Sequence, residues 1–491
     1  MNQTLSDLEP RLLWQHFQQL TRTPRPSHHE EQVQALVLGF GRELGLESCR
    51  DDHGNIIIRK PATPGMEGRA GVILQGHLDM VPQADAGRGH DFTCDPIDTL
   101  IDGDWVKARG TSLGADNGIG VAAALAVLQS SGIPHGPIEA LFTSNEEDGM
   151  SGAFGLAPGL LRGTILLNMD SEDEGVLCIG CAGGANVNAG LRYTEVATEA
   201  DAIAFELTVS GLRGGHSGVD IHRGRGNANK LLFRLLRAAQ AGCRIGVCAV
   251  EGGSLRNAIP REAMATVVVA PERAGCLQAL VREYRERFRS ELRFADAGVD
   301  VVLTPCPTPP SRMAPGDQER LISLVCASPH GVQRMSDAMA GLVETSNNLA
   351  MVRGAGGEAR LFHLVRSSID SAREALCGDI RSLCSLAGAA SDVDGEYPGW
   401  SPDPDSVILH TLQEAYQACF GQRAEVGAVH AGLECGILGA RYPHWEMISF
   451  GPTIRYPHSP HEQVSIPSVE RFWMLLLRVL ASVPEGPVLS P

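Results

Sequence analysis

Up to about Gly183 the chain alternates short apolar runs with stretches of helical periodicity. Val72-Ile73-Leu74, inside GVILQGHLDM (Gly71–Met80), is bounded by glycines, and Ile138–Thr143 and Thr164–Met169 are two further runs. Apolar runs this short read as strands buried on both faces, because a helix needs more length. Ser27-His28-His29-Glu30 fits a capping box, and helical periodicity follows over Glu31–Leu46. Asp51–Asn55 reads as a turn into a strand Asn55–Arg59, Pro61–Gly68 as a hairpin, and Asp91–Arg109 as short strands and turns. A glycine-rich loop, Gly110–Gly118, runs into an alanine-rich helix over Ile119–Gln129. It places Asp116 near that helix's N-terminus, where a carboxylate is favoured.

Beyond Gly183 the pattern changes. Longer amphipathic helices (Asn229–Ala241, Gly275–Leu292, Asp317–Ser328, Ser371–Ala387) mix with strands such as Ala204–Ser210 and Ala263–Val269. Ser254–Ile259 precedes one strand and helix, and Thr345–Ala350 precedes a strand Ala359–Val365 and another helix. This is a weak signal of internal duplication. A Pro-, Asp- and Ser-rich linker, Asp392–Asp405, restores the first pattern, with helices over Ser406–Phe420 and Val469–Leu480 and a strand Met447–Phe450. The predicted architecture is α/β: a discontinuous catalytic domain (1–184 and 395–491), a mixed sheet flanked by helices, interrupted by an inserted α+β domain (185–394).

Composition narrows the function classes. The chain has 491 residues, 43% of them hydrophobic and 20% charged, as expected of two or three globular domains. Its net charge of -17 disfavours binding to nucleic acid or an anionic membrane through a general field. No secretory signal and no run of spanning length stands out, so the expected location is the cytoplasm. The 13 cysteines are then expected as reduced thiols, and the single Cys178-Ile-Gly-Cys181 as plain buried cysteines rather than half a zinc site.

Chemistry collects at the strand ends. Ligands of open α/β sheets bind beyond the carboxyl ends of strands. There the chain carries His77 and Asp79, Glu146 and Glu147, and Asp170; Asp116 and either His458 or His461 add to them. This set holds imidazole and carboxylate but no thiolate, which suits Zn²⁺, Mn²⁺ or Co²⁺. Two histidines and three carboxylates exceed one catalytic ion and suit two, ~3.5–4 Å apart, with a bridging carboxylate. Glu146 and Glu147 repel each other unless a cation divides their labour, one binding metal and the other handling a proton. A serine nucleophile is disfavoured: Gly215-His216-Ser217-Gly218 lacks the G-x-S-x-G spacing.

GHLDMVP, GTSLGADNGIG, TSNEEDGMSGA, NMDSED, GLRGGHSG, RNAIPRE and GPTIRYPHSPHE together resemble the motifs of the dinuclear metallopeptidases that include carboxypeptidase G and aminoacylase. Within that family they are most similar to the bacterial Xaa-His (aminoacyl-histidine, or cytosol non-specific) dipeptidases. The resemblance runs over nearly the whole chain, with the motifs in order. It implies a zinc-peptidase-like catalytic domain with an inserted lid. It implies that Asp116 bridges two ions, that His77 and Asp170 hold one and Glu147 and His458 the other. Asp79 would orient His77 from behind. Glu146 would be the general base, taking a proton from the metal-bridging water and delivering it to the leaving amine. In the lid, His216 would stabilise the oxyanion, Asn257 would contact substrate, and Arg366 would clamp the substrate's C-terminal carboxylate. Gly432 and Glu434 would line the site without assigned roles. The departure is His461, where the family usually carries an acidic residue.

The function implied is hydrolysis of dipeptides with free termini, Xaa-His and broader. The two ions are expected to be Zn²⁺, with Mn²⁺ or Co²⁺ as alternatives, and the assembly a homodimer. An N-acyl amino acid amidohydrolase on the same core, or a metal-dead homologue, would share much of this pattern.

Overall fold

The computed structural model describes residues 4–486. They form two compact units. One comprises residues up to Gly180, Pro402–Ala428 and the chain from Leu433 onward; the other comprises Cys181–Ser401 and Val429–Gly432. The sequence had placed the joins at 184/185 and 394/395. The second lies later because the start of the stretch read as linker, Asp392–Asp405, belongs to Ala390–Tyr397, an edge strand of the second unit. Its Asp and Glu content is what an exposed edge needs to avoid pairing with other chains.

The first unit is built on an eight-stranded mixed sheet in the order Glu47–Arg50, Ile56–Lys60, Ile138–Thr143, Val72–His77, Ile165–Asn168, Glu446–Ser449, Val176–Cys181, Glu425–Val429. The four strands from Ile138–Thr143 to Glu446–Ser449 run parallel. Every residue of Val72–His77 is buried, so the run is apolar at successive positions instead of alternating. Parallel alignment gathers the carboxyl ends of these strands at one edge, where the site lies. The helix Ala115–Gln129 packs on them with nearly every side chain buried. Gly76 permits this approach: a Cβ there would meet the Asn117 carboxamide oxygen at 2.2 Å.

A nine-stranded sheet forms the second unit. Its order is Asp300–Cys306, Ile203–Ser210, Ala263–Val269, Gly246–Gly252, Val343–Ala355, Glu358–Ser367, Gly183–Arg192, Ala390–Tyr397, with Gly331–Met335 beside Val343–Ala355. Alternate strand residues such as Phe205, Leu207 and Val209 share one apolar cluster with the helices Ala228–Cys243, Ala274–Glu291, Pro315–Ala327 and Asp370–Leu386. The order strand–helix–strand–strand–helix–strand occurs twice. One set runs from Ile203–Ser210 to Asp300–Cys306. The other begins at Gly183–Arg192, resumes at Pro315–Ala327 and ends at Ala390–Tyr397. The strand order reads the same outward in both directions from the antiparallel contact of Gly246–Gly252 with Val343–Ala355. One set is thus nested inside the other, and Glu195–Ala197 pairs with Ser311–Met313 at the neck.

Three local expectations need correction. Pro61–Gly68 closes no hairpin, because Ile138–Thr143 lies between Ile56–Lys60 and Val72–His77 in the sheet, whereas Thr345–Ala350, itself part of the strand Val343–Ala355, does precede the strand Glu358–Ser367 and a helix. The helix Glu31–Glu43 starts at Glu30 with no side-chain cap, because Ser27 instead donates to Asp79 Oδ2 at 2.8 Å. Cys243 and Cys276 form a disulfide, not two free thiols: packing of their helices brings the Cα atoms to 5.8 Å. Cys178 and Cys181 are buried in the strand Val176–Cys181.

Candidate metal centre

His77 closes its strand with both ring nitrogens committed. Nε2 lies 3.1 Å from Asp116 Oδ1 and 3.3 Å from Asp170 Oδ1. Nδ1 lies 3.4 Å from Asp79 Oδ1. Asp79, fully buried, does more than face His77. Its Oδ1 accepts the Glu146 N–H at 2.9 Å and its Oδ2 the Glu147 N–H at 3.2 Å. One carboxylate therefore orients an imidazole and the peptide that launches both glutamates. Burial pushes the Asp79 carboxyl up, but the bond and charge of His77 and the Glu146 and Ser27 donors outweigh it and hold it down near 2.

Asp116 sits between two imidazoles. His458 Nε2 is 3.1 Å from Asp116 Oδ2 and 3.0 Å from Glu147 Oε2. His458 reaches this point because its loop joins Ile454–Arg455 to Gln463–Ser465. Those strands form a four-stranded sheet with the hairpin Thr99–Asp102/Trp105–Ala108, which precedes the Asp116 loop. His461 is exposed, and its N–H binds Ser459 Oγ, so it stays out of the cluster.

The Asp116 loop is held by two buried charges that sequence reasoning missed. Glu462 accepts the N–H groups of Leu113, Gly114, Ala115 and Asp116 at 2.7, 2.9, 2.7 and 3.2 Å. Arg25, 2% exposed, donates to the carbonyls of Leu78, Asp79 and Gly114. Glu462 stands four residues after His458 and offered a faint signal; Arg25 offered none.

Glu146 and Glu147 leave the strand Ile138–Thr143 through Asn145, whose φ of 54° makes a tight left-handed turn. Its side chain donates to the Asp148 carbonyl and to Ser151 Oγ. Burial, reinforced by Asp170, Glu434 and Glu147, pushes the Glu146 carboxyl well above its usual range despite His77. Burial also lifts Asp170 to about 7 against the pull of His77. Glu172 is lifted to about 8 by burial and by the charges of Asp116 and Asp170.

Three overlapping trios bring ligand atoms within 4.8 Å of one another: His77–Asp116–Asp170, His77–Glu146–Glu147 and Asp116–Glu147–His458. Asp116 is shared by the first and third. Glu147 Oε1 is buried without a hydrogen-bond partner among the described residues. Crowded carboxylates with an orphaned oxygen and only nitrogen and oxygen donors fit divalent cations.

His216, Asn257 and Arg366 all lie in the second unit, where they are linked. Ser217 N–H donates to the Asn257 carbonyl at 2.8 Å, and Arg366 Nε donates to Ser217 Oγ at 3.4 Å. Arg366 also donates to the Tyr397 hydroxyl at 2.9 Å. His216 Nδ1 accepts from the N–H groups of Gly218 and Val219, which leaves the ring proton on Nε2. Burial, with the nearby Arg366 charge, lowers this imidazole to about 4, so it is neutral at pH 7.

Residues 73–482 match peptidase family M20/M25/M40. The chain belongs to this family. It is 46% identical over 480 residues to the cytosol non-specific dipeptidase of Escherichia coli K12, covering 98% of this chain and 99% of that one. The crystal structure of aminoacylhistidine dipeptidase from Vibrio alginolyticus matches with a TM-score of 0.93 at 46% identity, over 99% of each chain. Aminopeptidase PepT from Bacillus cereus shares the fold at 16% identity, with a TM-score of 0.57 over 97% of this chain and 99% of that one. This M20 peptidase thus carries an α/β fold and clusters of nitrogen and oxygen ligand atoms suited to divalent cations.

Proposed function

We propose that this M20 peptidase is a metal-dependent dipeptidase acting on dipeptides with free amino and carboxyl ends, Xaa-His among them, with two Zn²⁺ ions as its metals. Asp116 carries the reading. Its two oxygens each lie 3.1 Å from a different imidazole, His77 and His458, which is the placement a bridging carboxylate needs. His77 and Asp170 would hold one ion, Glu147 and His458 the other. The chemistry such a pair would supply when bound is polarisation of the scissile carbonyl and a lowering of the pKa of water from 15.7 toward ~7.

The chain's own groups do the rest. Glu146, with its raised proton affinity, takes the proton of the attacking water and passes it to the leaving amine. Asp79 keeps Glu146 and His77 in place. His216, neutral with Nε2–H free to donate, suits an oxyanion. Asn257 would contact the substrate, and Arg366 would pair with its carboxylate. The second unit would act as a lid.

The E. coli relative is named a cytosol enzyme, and no helix among the described residues is long and apolar enough to cross a membrane. A cytoplasmic homodimer is the expected form, and light scattering in solution tests its mass. The deciding experiment is hydrolysis of a dipeptide panel against N-acetyl amino acids, after chelation and with single metals added back. Dipeptides cleaved only with metal support the proposal. Preference for N-acetyl substrates would replace it with an amidohydrolase, and absence of both activities with no bound metal would mark a non-catalytic homologue.

A further inference from the structure

Beneath the metal centre, the parallel strands break their apolar pattern at three adjoining places. Gln75, Thr143 and Asn168 are each 0% exposed, among neighbours such as Leu74, Leu141 and Leu167. A buried polar side chain costs stability unless its hydrogen bonds are met. Here they are met by one another and by a single carboxylate. Asn168 Nδ2 donates to Gln75 Oε1. That fixes Gln75 Nε2 as a donor, which reaches Glu434 Oε2 at 2.6 Å. Thr143 Oγ1 donates to the same oxygen at 2.7 Å. Glu434 is also 0% exposed and opens the helix Glu434–Arg441, where the helix dipole favours it.

Each strand member stands just before a residue of the centre. Gln75 is two before His77 on the same face of its strand. Thr143 precedes the turn to Glu146. Asn168 is two before Asp170 and accepts its N–H at 3.3 Å through Oδ1. The lateral spacing of these three strand ends sets the spacing of the ligand atoms.

We propose that Glu434 is a positioning residue of the metal centre, acting as a double acceptor that locks the strand ends of His77, Glu146 and Asp170 through Gln75, Thr143 and Asn168. This rests on reading His77 and Asp170 as metal ligands. The function needed at position 434 is an acceptor oxygen, and a carboxamide supplies it as well as a carboxylate does.

The test measures Zn²⁺ affinity by competition with a chromophoric chelator, together with kcat, KM and the melting temperature of the chelated protein. The full-length variants are Glu434→Ala, Glu434→Gln, Gln75→Leu and Glu434→Ala/Gln75→Leu. Loss of partners behind metal ligands weakens binding about 10–100-fold. Glu434→Ala and Gln75→Leu should each show that loss, with kcat falling more than KM rises. The double variant should be no worse than the worse single, and Glu434→Gln should bind Zn²⁺ within about threefold of wild type. If Glu434→Ala does not fold, Gln75→Leu and Thr143→Val carry the same comparison. Affinity unchanged in Glu434→Ala or Gln75→Leu, with only a lower melting temperature, would reduce the network to packing and overturn the inference. Equal losses in Glu434→Gln and Glu434→Ala would overturn the acceptor role. A wild type that binds no divalent ion overturns the site reading itself.

Discussion

The histidines of the metal cluster and the buried histidines of the second unit live in opposite surroundings. In the first, His77 and His458 face carboxylates, and hydrogen bonds to Asp116 and Glu147 push His458 up to about 11. His77 is driven well above its usual range: burial pulls it down, and Asp170, Asp116 and Asp79 overcome that pull. In the second, burial lowers His216 and His330 to about 4 and His363 to about 3, helped by Arg366 at the first and Lys230 at the other two. One cluster is overloaded with negative charge and calls for cations. The other keeps imidazoles neutral, so that each ring has one donor and one acceptor nitrogen. Crowding is common to both; the sign of the neighbouring charge decides what each can do.

The largest expected effect strikes the first cluster. Glu146→Gln leaves the proposed ligands His77, Asp116, Glu147, Asp170 and His458 in place and removes the proton acceptor, so kcat should fall about 10²–10⁴-fold with metal content unchanged. Unchanged kcat, alongside full metal occupancy, would remove Glu146 from the base role. Asp79→Asn comes next. It keeps the shape but weakens the charge that orients His77, and Zn²⁺ affinity should drop about 10–100-fold. If affinity holds, the contacts of Asp79 serve packing alone.

The second cluster is probed through Arg366. Removing a charge-assisted donor costs about 1.5–3 kcal/mol, or roughly 10–100-fold. Arg366→Ala should lower kcat/KM by that factor for dipeptides and far less for their C-terminal amides. Equal losses on both substrates would show that Arg366 supports Ser217 and Tyr397 without touching a carboxylate.

The sequence made one side of this comparison far more readable than the other. His77, Glu146, Glu147 and Asp170 follow apolar runs, and the change from apolar to polar is visible in one dimension. Asp116 follows a glycine-rich loop and was equally visible. What holds these residues was not. Glu462 acts on backbone N–H groups 346 to 349 residues away, and Arg25 on carbonyls that no side-chain pattern records. Ser27 looked like a helix cap because its spacing was right, but Asp79 offers it a buried acceptor, which the cap position did not. In the second unit, Thr345–Ala350 is polar because it sits in a strand whose Ser346, Asn347 and Asn348 are buried and hydrogen-bonded. A buried polar strand has no alternating signature, so the sequence assigned it to no strand. The nested order of elements was faint in sequence for the same reason: a repeat interrupted by its own copy leaves no fixed period.

The smallest effect on activity, and the sharpest on the comparison, concerns His363. It is fully buried, and Asn347 Nδ2 donates to its Nδ1 at 2.9 Å, so the ring must stay neutral to accept. Its folded pKa of about 3 lies below the unfolded value of about 6.5. Below 6.5 the unfolded chain takes up a proton that the folded one refuses. The contribution of His363 is therefore whole above about pH 6.5 and is lost as pH falls toward 3, reaching about 2 kcal/mol by pH 5. Urea midpoints of the second unit's unfolding should shift accordingly between pH 7 and 5, and His363→Gln should flatten that dependence by about one proton while activity at pH 7 changes little. His77 and His458, surrounded by carboxylates, lack this acid liability. An unaltered proton dependence in His363→Gln would mean that the neutral ring is no feature of the folded second unit, and the contrast between the two clusters would then rest on His216 and His330 alone.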